Sequence, residues 1–288
     1  MPRPGKFIMI VLSLAAAVAL AAVPVFYIFI QPRKTLLPVL LYHSISSDGS
    51  NDNIPAVSRE LFLRQMEYLS RKGYKTVYPS EVKREYSKNK RLPEKWVILT
   101  FDDGYRDFLE NAYPVLKKYN FQAVLFVSPD RLGKSGIYLA WEEVIRISRE
   151  GLVRIGSHSL NHGILTCLSA EEAERRIRVS KQLLERGLHQ PVTAFAYPYG
   201  AFNYDLRRIV ESAGYFTATG TTYPLGKFRM RDFYNMRRVF VSSISRYPGV
   251  FRFMLSGYYV PVRGALLRVF NIDAPRDANE CVDIIGES

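Results

Sequence analysis

From residue 36 to residue 199 the chain alternates apolar runs of strand length with amphipathic stretches of helical period, and this alternation constrains the fold most strongly. The pattern predicts strands at 36–43, 74–78, Trp96–Phe101, 122–127, Val153–Ser157 and 192–197. Helices are expected at 59–72, 79–87, 105–119, Trp141–Arg149 and 169–186. Strands separated by helices pair in parallel through right-handed crossovers, in an α/β fold that is either an open doubly wound sheet or a barrel. His43, Asp102, Asp103, His158 and Tyr199 each fall at or just past the C-terminal end of an expected strand, where barrel enzymes place their sites. A barrel explains that convergence best. The sequence has no internal repeat, and the pattern weakens after residue 247, where 251–270 reads as an amphipathic helix before an acidic tail.

Residues 7–30 carry no charged side chain and are long enough to cross a hydrocarbon core about 30 Å thick. Small residues at 15–22 offer cleavage points, but the apolar run continues to Ile30, so a retained signal anchor is expected, with the domain outside the cytoplasm in the cell envelope; secretion after cleavage is the lesser reading. The formal charge of +13 favours an anionic partner, but the Lys and Arg residues are spread over helical faces without the clustering of a nucleic-acid surface, so no nucleic acid is expected. Cys167 and Cys281 lack any CxxC spacing and are read as two free thiols rather than a disulfide framework, with a single long-range bridge as the alternative.

Three segments carry chemistry. Thr100-Phe101-Asp102-Asp103-Gly104 sets two adjacent carboxylates on a turn directly after an apolar strand. Neighbouring anions repel, so a metal ion, or a division of labour between ligand and proton acceptor, is the physically sensible use of the pair; an Asp-Gly turn with a helix cap is the plain alternative. His158-Ser159-Leu160-Asn161-His162 holds two of the chain's four histidines at a spacing that brings both imidazoles to one face. The spacing alone is weak. One carboxylate and two imidazoles, with positions left open, is nevertheless the ligand set of a catalytic metal centre. Phe195-Ala196-Tyr197-Pro198-Tyr199-Gly200 is another strand ending in a turn, and by itself reads as a Pro-Gly corner.

In this order the segments resemble the three motifs of the polysaccharide deacetylase family, the NodB homology domain of carbohydrate esterase family four, with matches spread over residues 38–241. The resemblance implies a distorted (β/α) barrel of the NodB type. It implies that Asp103, His158 and His162 hold a divalent metal ion, zinc foremost with cobalt or nickel as alternatives, that Asp102 is the general base, and that the backbone N–H of Tyr199 helps hold the oxyanion. There are two departures. The Arg that opens the third motif is replaced by Ala196, and Arg238, with Arg237 as its rival, is expected to supply the charge. The closing Leu-x-His is absent, since no histidine follows His189, which itself reads as a surface residue. Leu41-Tyr42-His43 ends the first expected strand instead, and in a closed barrel the first and last strands are neighbours. A circularly permuted order thus sets His43 over the site as the acid that protonates the leaving amine, as in the subgroup acting on poly-β-1,6-N-acetylglucosamine; a buried structural histidine is the alternative.

The expected activity is metal-dependent hydrolysis of N-acetyl groups on an N-acetylglucosamine-containing polysaccharide, with Tyr105, Trp141, Tyr197 and Tyr199 as candidates to stack on sugar rings. An O-acetyl esterase, a lipid-linked sugar deacetylase and an inactive carbohydrate-binding module are the rival readings. The expected division is an anchor and linker at 1–34, a catalytic domain at 35–250 and an extension at 251–288, with no protein partner identifiable.

Overall fold

The computed structural model describes residues 37–49, 54–90, 92–220, 230–256 and 259. The alternation read from sequence becomes β1 (Val39–Tyr42), β2 (Ser44–Ser46), β3 (Ala56–Ser58), α1 (Arg59–Arg71), β4 (Lys75–Thr76), α2 (Pro79–Asn89), β5 (Trp96–Phe101), α3 (Tyr113–Tyr119), β6 (Ala123–Val127), α4 (Trp141–Arg149), β7 (Val153–Ser157), α5 (Ala170–Leu188), β8 (Ala194–Ala196), α6 (Tyr204–Ser212), β9 (Thr217–Gly220), β10 (Met236–Arg237), β11 (Val239–Phe240) and α7 (Pro248–Leu255). Helix starts follow their caps: the hydroxyls of Ser58 and Ser169 and the side-chain carbonyl of Asn203 accept from Leu61, Glu172 and Leu206 N–H, and Pro79 opens α2.

The main sheet runs β10-β9-β8-β7-β6-β5-β1-β11, with β4 added beside β5, and each of its pairings is parallel. β10 and β11 are halves of one extended stretch broken at Arg238. The first half pairs with β9 and the second with β1, so the ends of the sheet meet through one piece of chain and the strands form a nearly closed barrel. First and last strands are neighbours, with Leu40 opposite Val239.

Strand phase sorts the core. Leu40, Leu99, Phe101, Leu125 and Phe195 point outward into one large cluster under the helices, whereas Val39, Ile98 and Met236, and Val124, Phe126, Ala194 and Ala196, make two smaller clusters from the alternate positions. Asp102, Ala196, His158 and Arg238 continue that inward phase at the C-terminal ends of their strands. Gly156 is required by the same packing, because a Cβ there would sit 2.4 Å from the Phe126 ring. Val77 and Val82 belong to the inner clusters, and the Tyr78 hydroxyl donates to the carbonyls of Gly151 and Leu152 at the N-terminal ends of the strands.

Several expectations need correction. The helix expected over 105–119 is regular only from Tyr113, because Tyr105 pairs across a bridge with Tyr138 and Phe108–Ala112 form a wider π turn in which Tyr113 N–H donates to Phe108 C=O. The strand expected over 74–78 shortens to β4, since Tyr78 already caps α2. α7 runs across residue 250, with Phe251, Met254 and Leu255 in the main core, and most of the remaining span to 270 lies outside the described residues. Cys167 is disulfide-bonded, which favours the bridge over the free thiol: a cysteine without a CxxC spacing gives no local sign of a bonding partner. Cys281 lies outside the described residues. Among the described residues no helix is long and apolar enough to cross a membrane, and the span expected at 7–30 lies outside them.

Candidate active site

Asp103, His158 and His162 each present one ligand atom, and these atoms all lie within 4.8 Å of one another. Asp103 Oδ1 is 3.1 Å from His162 Nε2 and 3.9 Å from His158 Nε2. His158 Nδ1 lies 2.8 Å from the carbonyl of Ala196. A carbonyl only accepts, so Nδ1 donates to it, and Nε2 is the ring nitrogen turned toward the carboxylates and left for a metal. His162 Nδ1 is buried without a hydrogen-bond partner. Burial first, then the charges of His158 and Arg131, hold the His162 pKa well below the ordinary imidazole value, so the ring is neutral and able to ligate. One carboxylate and two imidazoles fit a divalent cation of the zinc type.

The loops that carry these groups are unusually constrained. Asp103, Ser159 and His162 have φ of 69°, 67° and 64°, a left-handed conformation that costs a non-glycine residue of order 1–3 kcal/mol. Gly104, at φ 72°, continues the turn where a Cβ would stand 2.9 Å from Val127 Cγ1. Hydrogen bonds hold the histidine loop to the end of β6 and the segment after it: His158 N–H to Val127 C=O at 2.9 Å, Ser128 Oγ to His158 C=O at 2.8 Å, and Asp130 N–H to Leu160 C=O at 3.0 Å.

Asp102 is buried, and Arg238 Nη1 donates to its Oδ1 at 2.6 Å, while Oδ2 is 3.6 Å from His158 Nε2. Burial alone would raise its pKa; the Arg238 guanidinium, with smaller contributions from His158 and His43, outweighs this and holds the carboxyl below its ordinary value. The guanidinium lies over the Phe126 ring in the barrel, 5.7 Å from its centroid, and that ring shares an inner cluster with Ala196. Arg237 lies one residue back, in the opposite phase. His43 follows β1, its ring centroid 5.6 Å from that of Phe240 and its Nδ1 buried without a partner. Burial lowers its pKa, against the opposing pull of Asp102 and Asp103, the two carboxylates that act on it. Ser44, next in sequence, hydrogen-bonds Asp107 and so ties the end of β1 to the segment after the Asp pair.

Of the aromatic candidates, Tyr199 alone is well exposed; its ring centroid is 4.6 Å from that of His162, and its φ is 57°. Tyr197 is fully buried with its hydroxyl donated to Tyr234 C=O, so it is no sugar platform, and Trp141 is partly buried against Gly187. His189 is an exposed left-handed helix cap. Sequence reasoning missed Arg131, whose Nη1 is 3.3 Å from Asp103 Oδ1, and Tyr138 beneath it; a lone arginine after an apolar strand gives no signal of its partner. A cavity of about 820 Å³ lies at the other end of the strands, lined by Tyr74, Lys75, Tyr119, Gln122 and Leu152 among others, and holds none of these groups.

The family model for polysaccharide deacetylase matches residues 89–218. A putative polysaccharide deacetylase, YxkH, from Bacillus subtilis (strain 168) is 35% identical over 212 residues, 74% of this chain and 73% of that protein. Poly-beta-1,6-N-acetyl-D-glucosamine N-deacetylase from Escherichia coli O157:H7 is 26% identical over 155 residues, 46% of this chain and 23% of that protein. Among solved structures, IcaB from Ammonifex degensii superposes with a TM-score of 0.66 at 26% identity, covering 77% of this chain and 98% of that one. With motifs, barrel and homologues in agreement, the chain belongs to the polysaccharide deacetylase family, a family of hydrolases.

Proposed function

We propose that the protein removes N-acetyl groups from an N-acetylglucosamine-containing polysaccharide and releases acetate, with zinc as the favoured ion. The observation that carries this reading is the buried Arg238–Asp102 ion pair set directly beside the Asp103, His158 and His162 cluster. The name of the Escherichia coli relative supports the polymer. A divalent ion held by Asp103, His158 and His162 would polarise the acetyl carbonyl and make water more acidic. Arg238 occupies Oδ1 of Asp102, which directs proton acceptance to Oδ2 on the side of His158. The backbone N–H of Tyr199 is assigned to the oxyanion. His43 is assigned the proton for the departing amine; its lowered pKa makes it a stronger acid with a smaller protonated fraction at neutral pH.

The test is acetate release from N-acetylglucosamine oligomers by purified protein, beside an acetyl ester. Chelation should abolish amide turnover, resupplied zinc, cobalt or nickel should restore it, and His158→Ala should prevent the restoration. Turnover indifferent to chelation would sink the metal reading, and turnover of the ester alone would move the assignment to an O-acetyl esterase.

We also propose that residues 7–30 anchor the domain outside the cytoplasm. Their apolar length supports this, and disulfide-bonded Cys167 fits an oxidising compartment. In cell fractionation the protein should sediment with membranes and be digested by protease added to cells or spheroplasts; a soluble, protected protein overturns the proposal.

A further inference from the structure

Arg131 has no place in the chemistry above, yet it contacts one of the proposed ligands. It ends the short turn Pro129–Arg131 after β6, and Arg131 N–H donates to Ser128 C=O while the adjacent Asp130 N–H donates to Leu160 C=O in the histidine loop. Its guanidinium lies 5.5 Å from the Tyr138 ring centroid, and Tyr138 stacks on Tyr105 at 5.4 Å and 19°. Backbone bonds from Arg106 N–H to Ile137 C=O and from Leu139 N–H to Gly104 C=O fix that stack to the turn of the Asp pair. Both ends of the arginine are thus held. The guanidinium reaches Asp103 Oδ1, the oxygen that also faces both His Nε2 atoms.

The consequence is electrostatic. Asp103 is the single anion of the ligand set, and a cation hydrogen-bonded to a carboxylate draws charge from it and repels a second cation nearby. We propose that Arg131 is a positioning residue that weakens cation binding at the Asp103 site while leaving the bound cation more electron-poor, so that affinity is traded for polarising power. This rests on the metal reading of Asp103, His158 and His162. A merely structural arginine would act the other way: its removal would loosen Asp103 and weaken binding, as loss of groups that orient metal ligands commonly does.

The experiment is titration of chelator-stripped full-length protein with cobalt and zinc, by calorimetry and by the cobalt absorption spectrum, for wild type, Arg131→Gln and Arg131→Lys, with acetate release measured at saturating metal. Arg131→Gln should bind both ions more tightly, by about tenfold on a simple Coulomb argument, while kcat falls; Arg131→Lys, which keeps the charge, should stay near wild type in affinity. Unchanged or weaker binding in Arg131→Gln overturns the proposal, as does equal tightening in Arg131→Lys. Circular dichroism identifies any variant that fails to fold, and Arg131→Met then replaces it in the same comparison. A wild type that binds no divalent cation would instead overturn the metal reading itself, and the role of Arg131 with it.

Discussion

Asp102→Asn should lower acetate release by roughly 10²–10⁴-fold, the usual worth of a positioned general base, with divalent-cation affinity retained. The carboxamide has nearly the same shape, and its oxygen can still accept from Arg238 Nη1, so the packing around a buried side chain is kept. What it loses is the capacity to take a proton. Asp102 lies outside the set whose ligand atoms cluster within 4.8 Å, so cobalt titration should give near wild-type affinity. A parallel collapse of metal binding would make Asp102 a ligand instead, and acetate release within a few-fold of wild type would remove it from the chemistry.

Arg238→Met should be the most destabilising single change at the site. Both partners of the ion pair are almost fully buried, and removing one partner of such a pair costs about 3–5 kcal/mol because the other is stranded. In a domain of this size that lowers the thermal midpoint by roughly 6–20 °C. Adding Asp102→Asn to Arg238→Met removes the stranded charge and should recover part of the loss. The pH dependence has a defined sign. In the wild type the Asp102 pKa is lowered in the fold, so the pair contributes stability that is present above the unfolded carboxylate value and is lost as pH falls through the lower folded one. Without Arg238 burial dominates and raises that pKa, so neutralisation of Asp102 on acidification favours the folded variant. The deficit measured at pH 7 should therefore shrink at pH 5. Equal deficits at both values, or a midpoint within about 2 °C of wild type, would show that the pair does not act as described.

Much of this was legible in the sequence because strand phase and strand ends are local properties. Trp96–Phe101, Trp141–Arg149 and Val153–Ser157 fall where the apolar pattern puts them, and Asp102, Asp103 and His158 are delivered by the ends of two of those strands. Pairing was less legible. Arg237 and Arg238 are equivalent by composition, and only the inward phase set by Met236 and the position of Phe126 separates them. β10 and β11 escaped because two-residue pairings carry no periodicity. Arg131 was invisible for a related reason: its meaning depends on the Tyr105–Tyr138 bridge, a contact between residues far apart in sequence whose aromatic rings look like ordinary core.

The split strand also orders events in time. As a chain is synthesised from its N-terminus, both carboxylates and all the histidines of the site emerge well before residue 238. Until the stretch 236–240 arrives, β1 has no partner on one edge and Asp102 has no guanidinium, so the two charges that meet in the finished barrel cannot yet be buried together. The segment that completes the wall is also the one that carries the counter-charge of Asp102. A truncated or stalled product ending before it lacks both the strand that closes the barrel and the guanidinium that offsets a buried carboxylate, so closure of the wall and neutralisation of that buried charge are one event.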